Sequence, residues 1–495
     1  MDTTLCRELN IPEDVLQLIL RTSKSSTLTE SFQTLTVTSR SDEGRSDLAS
    51  KGIFRAVLQL VQSVASQPAH HLLLLSLRLL RNLCAGEEAN QNMFIELNGV
   101  DVVSGVINSL EFDCDDSGYG VIRAALQVLA NISLAGEKHQ CAIWDRLFPD
   151  VFLKIARIRR RETCDPLSMI IYTCSDGSSE LFAELCTNPG LAIIAEIART
   201  ASEVGFGEDW LKLLISRICL EESYFPVLFD MLSENFASEN SGDAESRDSH
   251  FTSSQAYLLR MISEILNERL KEIRVSTDFA LYILGIFETA VKAVDFHTRG
   301  QSGLPTGSSS VDVFGYSLII LRDTCAQDSS VVADSKTQVD EVVNTLISKG
   351  FLDLLLSLLR ELELPSSIRR TMRQDGGETV TNELPRVCPY KGFRRDVVAV
   401  IGNCLYRRKH VQDEIRQKNG VIILLQQCVL DEDNPFLREW GIWCAKNLLE
   451  GNAENEQVVA GLEMQGAVDV PQLAEIGLRA EVDPNTGRAR LVNIT

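Results

Sequence analysis

One residue pattern recurs four times along the chain and restricts the possible folds more than any other feature. In each copy, an apolar segment with helical spacing ends in an Asn, and a short polar loop and a second short apolar segment follow. The asparagines that mark the four copies are Asn82, Asn131, Asn403 and Asn447. The residues nine positions after them are Gln91, Gln140, Gln412 and Glu456. A pair or triplet of helices cannot bury its apolar face alone, so this self-similarity predicts a solenoid of stacked helical repeats.

The rest of the chain carries helical periodicity with a less regular repeat. Between residues 150 and 360 the spacing of apolar residues predicts further helices, and no segment alternates apolar and polar residues as a half-buried strand does. A degenerate copy of the pattern lies near Cys325, with Asp323 or Thr324 at the position of the Asn. The predicted fold class is therefore all-α, a helical-repeat superhelix. A small hairpin through residues 484–487 is the one predicted exception, and it would cap the last repeat.

Composition and helical spacing divide the chain into six predicted regions. Residues 1–50 form a short helix and then a loop rich in Ser and Thr, which has few large apolar groups and is expected to be flexible or a poorly ordered helix. The other regions are helical repeats at 51–235, divergent helical repeats with polar loops at 236–364, a long loop at 365–391, a well-defined pair of repeats at 392–470, and a cap or tail at 471–495.

Charge and cysteine usage limit the environment and the partners. The net charge is −21, which opposes nucleic-acid binding because that requires basic surface to displace counterions. The apolar runs are too short to span a bilayer, and the N-terminus has no secretory signal. The 13 cysteines are scattered, as in proteins of a reducing compartment. We therefore expect a cytoplasmic protein that binds other proteins, does not bind nucleic acid and does not insert into membranes. Homo-oligomerisation is left open.

Catalytic and metal-binding motifs are absent from the sequence. It contains no phosphate-binding loop, no dinucleotide fingerprint, no His-Glu-x-x-His and no nucleophile elbow. We therefore expect neither catalysis nor a cofactor or metal. One alternative stays open, because a Cys and a His could meet in space and form a nucleophilic pair.

The sharpest polar feature is the set of four asparagines. They end apolar helices at equal phase, so a regular stack would align them along one surface, where their amides could bind the backbone of a partner peptide. In the alternative interpretation, each Asn caps the loop after its own helix. Trp440 and Trp443 would supply aromatic anchors beside Asn447, although packing between repeats explains at least one of them equally well. The predicted partner-binding residues are thus Asn82, Asn131, Asn403, Asn447, Trp440 and Trp443.

The repeats resemble the armadillo consensus of an apolar helix, Asn-Leu, a loop, Asn/His-Gln, an apolar helix and Gly. The C-terminal part resembles the C-terminal domain of the ataxin-10 family. That resemblance is carried by the stretch from Gly392 to Tyr406 (GFRRDVVAVIGNCLY), by DEDNPFLREW ending at Trp440, and by AKNL ending at Leu448. It implies a cytoplasmic, non-enzymatic armadillo-like scaffold that supports cell division and cell survival or growth through signalling or cell-division partners.

A second function class remains open, that of a transport adaptor of the nuclear-import kind, which binds basic peptides. Such an adaptor needs a Trp one helical turn before each Asn. Only Trp443 meets this requirement, before Asn447. The corresponding positions before the other three asparagines hold Arg78, Gln127 and Ala399.

Overall fold

The computed structural model describes residues 11–65, 67, 69–110, 116–205, 207, 209–233, 251–269, 272–331, 342–374, 386–462, 478–482 and 489–493. The chain divides into two compact units. The first comprises Met1–Tyr282 and Gly307–Tyr316, and the second comprises Ile283–Thr306 and Ser317–Thr495. The six predicted region boundaries remain predictions.

Helices make up the first unit. Within its described residues these are α1 Glu13–Ser23, α2 Leu28–Thr38, α3 Asp42–Ser50, α4 Ile53–Val64, α5 His70–Cys84, α6 Glu88–Glu96, α7 Gly99–Ser109, α8 Asp116–Ser133, α9 Glu137–Leu147, α10 Asp150–Ala156, α11 Arg161–Asp176, α12 Ser179–Leu185, α13 Asn188–Val204, α14 Asp209–Ser216 with a π-helical turn Arg217–Glu221, α15 Phe225–Met231 and α16 Ser253–Glu268. The boundaries between the units fall within α17 Thr277–Ala293 and α18 Ser309–Val331.

The second unit continues with helices and ends in a hairpin. Its described elements are α19 Val342–Ser348, α20 Phe351–Glu361, α21 Ser366–Gln374, α22 Phe393–Leu405, α23 Lys409–Gln417, α24 Val421–Leu425, α25 Leu437–Leu449, α26 Ala453–Ala460, β1 Leu478–Val482 and β2 Ala489–Asn493. The all-α prediction is confirmed, with the hairpin as its small exception.

The predicted hairpin is present as an antiparallel pair. Strands β1 and β2 pair in the register Leu478 to Asn493 and Val482 to Ala489. Residues 483–488, which hold the predicted turn, lie outside the described residues. The capping of the last repeat by this hairpin remains a prediction.

The helices that end in the repeat Asn form the core of the array. In the first unit α5 packs against α8, and α8 packs against α11; in the second unit α22 packs against α25. Leu77 and Leu80 of α5 and Leu126 and Leu129 of α8 are fully buried, with 0% of their surface exposed. Truncation of such a Leu to Ala typically costs about 2–5 kcal/mol. Apolar packing between successive repeats therefore holds the array together.

Of the two alternatives predicted for the Ser/Thr-rich part of region 1–50, a flexible loop and a poorly ordered helix, the structure shows helix. Helices α2 and α3 occupy most of residues 28–50, each with a hydroxyl N-cap: Thr27 Oγ1 accepts from the N–H of Glu30, and Ser41 Oγ accepts from the N–H of Gly44. Leu28 and Phe32, one turn apart, are buried. Many Ser and Thr residues with few large apolar groups favour a loop, but two of these residues cap the starts of helices, a position that both residue types favour.

Two further helix boundaries differ from expectation. The loop predicted for 365–391 begins with a helix, α21, and residues 375–385 lie outside the described part. The spacing of apolar residues before it predicts one helix over residues 339–362, but the described part of this segment is divided into α19 and α20 at Gly350, whose φ is +86°. Glycine adopts this left-handed conformation without steric cost, which is why the chain turns there.

Within the described residues, no single helix is both long and apolar enough to cross a membrane. Two pairs of helices joined at sharp bends, Ser179–Leu185 with Asn188–Val204 and Val342–Ser348 with Phe351–Glu361, meet the length and composition criteria only when taken together.

Candidate partner-binding site

The repeat asparagines bind the backbone of the preceding repeat. The Asn131 side-chain amide donates to the Arg81 carbonyl oxygen at 2.8 Å, and Asn447 donates to Gly402 O at 2.9 Å. In both cases the acceptor is the residue just before the previous repeat Asn. Each Asn therefore joins two successive helices, rather than capping the loop after its own helix.

The chemical reason lies at the helix ends. The last four carbonyls of an α-helix have no partner within the helix. Arg81 O is among the last four of α5, and Gly402 O is among the last four of α22. Asn82 does the same one repeat earlier, where its amide donates to Thr36 O of α2 at 3.4 Å and to Ser39 Oγ at 3.2 Å. The Asn thus satisfies a carbonyl that would otherwise be unpaired.

The degenerate repeat follows the same geometry. The Asn403 side-chain amide donates to Arg322 O at 3.0 Å. Since the acceptor immediately precedes the Asn position in the other repeats, Asp323 occupies that position in α18. This decides between the two residues that the sequence left open.

Two of the three glutamines that lie nine residues after a repeat Asn bind the following repeat. Gln412 Nε2 donates to Asn447 O at 2.8 Å and to Glu450 O at 3.2 Å, both at the end of the next Asn-bearing helix. Gln91 Nε2 likewise donates to Asn131 O at 3.2 Å. Gln140 differs, because its Nε2 donates to Ser133 O at 3.0 Å, at the end of its own repeat helix. In the copies of Gln91 and Gln412 the Gln bonds the next repeat, whereas each repeat Asn bonds the preceding one, so these side chains hold successive helices together.

The fourth copy departs from this rule in an informative way. Glu456, at the position of the Gln, is exposed. A carboxylate cannot donate a hydrogen bond, and the described residues contain no later Asn-bearing helix to receive one. The change from amide to acid thus coincides with the end of the array.

The burial of the asparagines restricts what they can offer a partner. Asn447 is 1% exposed, whereas Asn82, Asn131 and Asn403 are half-buried. Direct contact between a partner and the Asn447 side chain would require α22 and α25 to separate. The half-buried asparagines are accessible without such a change.

Three of the predicted partner-binding residues meet in one groove of the second unit. Asn403 of α22 and Glu439, Trp440 and Trp443 of α25 line an open groove with a volume of 410 Å³. Trp443 is 43% exposed, and the Lys446 ammonium lies 5.1 Å from the centre of its indole ring. We call this surface the tryptophan groove.

An unexpected aromatic residue lies at the start of the same helix. Phe436 is the residue immediately before α25 and lies four positions before Trp440 in the sequence. It is 69% exposed, and its backbone is in the left-handed region with φ +66°. The spacing of Phe436, Trp440 and Trp443 could have revealed this aromatic residue in the sequence.

Asn82 and Asn131 line a different groove, in the first unit. It has a volume of 590 Å³ and is walled by residues of α5, α8 and α11. The structure therefore places Asn82 and Asn131 in one groove and Asn403 in the other, beside the tryptophans, whereas Asn447 is buried and lines neither groove.

Residues 393–492 match the family model described as "Spinocerebellar ataxia type 10 protein domain". Ataxin-10 of Bos taurus is 25% identical over 486 residues, covering 91% of this chain and 92% of that protein. Ataxin-10 of Xenopus tropicalis is 23% identical over 454 residues, covering 88% of this chain and 86% of that protein. The chain is similar to ataxin-10 proteins over most of its length, and its C-terminal part matches the domain of that family.

Solved structures also show similarity. A designed armadillo repeat protein in complex with peptide (KR)4 has a TM-score of 0.32 and 14% sequence identity, covering 51% of this chain and 99% of that chain. Neither the helical-repeat fold nor the ataxin-10 family is of an enzymatic kind. Within the described residues, no group of three or more His, Cys, Asp or Glu side chains is arranged to hold a metal ion.

Inside the ataxin-10 domain, a buried arginine connects the two stretches that carry the family resemblance. Arg394 is 2% exposed, donates its backbone N–H to Asn434 Oδ1 at 2.9 Å, and donates from its guanidinium to Gln427 Oε1 at 3.1 Å. Its guanidinium lies 4.0 Å from Asp431, and burial lowers the pKa of Arg394. The residues of DEDNPF are therefore held against the start of α22. Sequence reasoning missed this role of Arg394.

The thiols of the chain are poorly suited to nucleophilic chemistry. Burial raises the pKa of Cys164 and of Cys174 to about 12, and that of Cys186 to about 11. Burial also raises the pKa of Cys84, Cys219 and Cys444. Because the thiolate is the nucleophile, these groups are inert near neutral pH. This weighs against the alternative of a catalytic cysteine at these positions.

Proposed function

We propose that this chain is a non-enzymatic scaffold that binds partner proteins, and that the tryptophan groove is a principal binding surface. The observation that carries the proposal is the convergence of Asn403, Trp440 and Trp443 in one open groove. Aromatic side chains in a groove commonly supply most of the binding energy of an interface. The half-buried Asn403 stands beside them and can orient a bound backbone.

The occupant that fits best is an extended protein segment with an apolar side chain at its centre. Trp440 and Trp443, one turn apart, present indole rings with a large apolar surface and a polar N–H each. Phe436, at the start of α25, adds a further exposed aromatic ring, and Glu439 supplies a carboxylate within the groove. The groove thus offers an apolar surface that binds an apolar side chain of the partner, and polar groups that bind a polar side chain next to it.

The biological setting that we propose follows from the ataxin-10 family resemblance. We place the chain in the cytoplasm, where it supports cell division and cell survival or growth by holding signalling or cell-division partners. The described surface is consistent with such a role because it offers binding grooves. The identity of the partner is left to experiment.

A second candidate is a transport adaptor that binds basic peptides. The observation that favours it is Glu439, which lines the tryptophan groove together with Trp440 and Trp443. Its carboxylate lies 3.3 Å from the Arg438 guanidinium, a cation that a basic side chain of a partner would replace. The Lys446 ammonium over Trp443 shows that one of these rings accepts a cation. A Lys or Arg side chain from a partner could use the same carboxylate and the same ring.

The decisive experiment compares proximity labelling by the intact protein and by two variants in cells of its source. Trp440→Ala/Trp443→Ala removes the groove walls. Ile442→Ala is the matched control, because Ile442 is 55% exposed on the same helix but does not line the groove. We expect specific partners to be lost in the double variant and retained in the control. Retention of every partner by the double variant would refute binding through the tryptophan groove.

A further variant, Glu439→Gln, distinguishes the scaffold from the transport adaptor. Fluorescence anisotropy with a labelled Lys/Arg-rich peptide measures binding to a basic sequence directly. Tight binding that is lost in Glu439→Gln supports the adaptor. Partners captured in cells without affinity for the basic peptide support the scaffold.

A further inference from the structure

The groove of the first unit has a basic side that nothing in the repeat pattern requires. Arg81 of α5 and Arg123 of α8 line it, and Arg78 stands one turn before Asn82 on α5. We call these three residues the arginine cluster. In a chain with 69 acidic and 48 basic residues, three neighbouring arginines would be expected to have acidic partners.

None of the three forms an ion pair within the part of the chain that the structure describes. Other arginines of the first unit do: Arg159 lies 2.9 Å from Glu196 and 3.3 Å from Glu203, and Arg217 lies 2.8 Å from Asp176. The cluster instead repels itself. The pKa of Arg81 is lowered, first by burial and then by the charges of Arg78 and Arg123. An anion placed between them would relieve this repulsion.

Arg81 is held in place by neutral groups. Its guanidinium donates to Gln127 Oε1 at 2.8 Å and to Asn82 Oδ1 at 3.0 and 3.2 Å. These bonds fix its orientation without neutralising its charge. Such a preorganised cation binds an anion with little loss of side-chain entropy.

We propose that the groove lined by α5, α8 and α11 binds an extended segment of a partner protein that carries anionic side chains, either carboxylates or phosphoryl groups. The arginine cluster receives the anionic groups through charge-assisted hydrogen bonds. Asn131, midway along the groove, uses its amide N–H in binding Arg81 O. Its side-chain oxygen can accept a backbone N–H from the bound segment.

The wall of the groove formed by α11 carries acidic residues, so the two sides of the groove differ in charge. Glu162 and Asp165 of α11 line it together with Arg161, Pro166 and Met169. Acidic side chains of the ligand are therefore favoured beside α5 and α8, and neutral or apolar ones beside α11. The carboxylates on this wall also oppose a nucleic acid, whose phosphates would continue along the whole groove.

This site is separate from the tryptophan groove, and neither one requires the other. The proposal concerns different repeats and a ligand of opposite charge to the basic peptide of the second candidate function. Loss of binding at one site would leave binding at the other intact. The two proposals can therefore fail independently.

The test uses the full chain and labelled peptides of about ten residues, long enough to cross three adjacent helices. One peptide alternates Glu with Ser and Gly; a second carries phosphoserine in place of Glu; a third carries Gln instead. Fluorescence anisotropy is measured at low and at high salt. We expect the Glu or the phosphoserine peptide to bind with an affinity that falls with salt, and the Gln peptide to bind far more weakly.

The variants Arg78→Glu/Arg123→Glu and Arg78→Gln/Arg123→Gln test the assignment. We expect each to weaken binding of the anionic peptide by at least about tenfold. Arg55→Glu is the matched control for charge, because Arg55 is exposed on α4 outside the groove. Arg78 and Arg123 are both exposed, so we expect the variants to keep the fold, and thermal melting checks this.

The outcomes are distinct. Binding of both anionic peptides points to a carboxylate ligand, and binding of the phosphoserine peptide alone points to a phosphorylated one; both support the proposal. It is overturned if neither peptide binds, if Arg55→Glu weakens binding as much as the groove variants do, or if a single-stranded oligonucleotide binds the cluster more tightly than the peptides.

Discussion

The side-chain amide of Asn447 donates to the carbonyl oxygen of Gly402 across 2.9 Å, joining two helices whose residues are 45 apart in the chain. Gly402 O is one of the terminal carbonyls of α22, which have no partner within their own helix. The same relationship connects Asn131 with Arg81, 50 residues apart. The Asn that marks each repeat in the sequence thus forms a hydrogen bond to the preceding repeat in the structure.

Replacement of Asn447 by Ala is expected to lower the free energy of unfolding by about 1–3 kcal/mol, because a buried carbonyl loses its donor. Asn403→Ala is expected to cost less, since Asn403 is half-buried and water can replace its amide. Urea denaturation of the two variants measures the difference. Equal stability of Asn447→Ala and the parent protein would show that the bond contributes nothing.

Gln412→Ala tests the forward contact between repeats. Gln412 is 2% exposed and donates to two carbonyls at the end of α25, so we expect a loss of about 1–3 kcal/mol in the free energy of unfolding. Glu456→Ala changes the matching position of the last copy, which is exposed, and is expected to shift stability by less than about 0.5 kcal/mol. Similar losses in both variants would contradict the assignment of Glu456 as the end of the array.

Arg394→Met is expected to destabilise the ataxin-10 domain by about 3–5 kcal/mol, because it leaves the buried carboxylate of Asp431 without its cation. The double variant Arg394→Met/Asp431→Asn is expected to lose less than the sum of the two single changes. A double-mutant cycle by chemical denaturation measures this coupling. Strict additivity would show that the two groups do not interact across their 4.0 Å separation.

Because His139 has a lowered pKa in the folded chain, we expect the stability of the protein to depend on pH. Burial lowers its pKa in the folded chain, and the Lys138 charge acts in the same direction, while a backbone hydrogen bond with Gln91 and the charge of Glu88 oppose the shift. The unfolded chain then binds the proton more tightly than the folded chain. His139 therefore contributes its full share of the folding stability above the pKa of a histidine in the unfolded chain, about 6.5. This stability is lost as pH falls through the lower pKa of His139 in the folded chain.

His139→Asn provides the matched comparison for this effect. Asn90 occupies the equivalent position one repeat earlier, where its amide donates to Leu83 O at 2.9 Å. We expect the variant to lose less stability between pH 8 and pH 5 than the parent protein does, as measured by urea denaturation at each pH. An identical pH dependence in both proteins would exclude His139 as the group responsible.

Much of the fold and part of the candidate site could be predicted from the residues. The helices of the repeats and the terminal hairpin follow from local spacing of apolar side chains and from turn residues, which act over a few positions. Trp440, Trp443 and the half-buried Asn403 were identified by their place in the repeat, and they line one groove. The sequence left a loop and a helix open for residues 28–50, because apolar residues such as Leu28 and Phe32 are few among the Ser and Thr around them.

The helical character, the repeat register and the resemblance to the ataxin-10 family could be predicted from the amino-acid sequence, because each depends on residues close together in the chain. The carbonyl that each Asn binds, the burial of Arg394 and the unpaired arginine cluster were decided only by packing. Their partners lie up to 81 residues away along the chain, as between Asn403 and Arg322, and no local pattern specifies which distant backbone atom a side chain will meet.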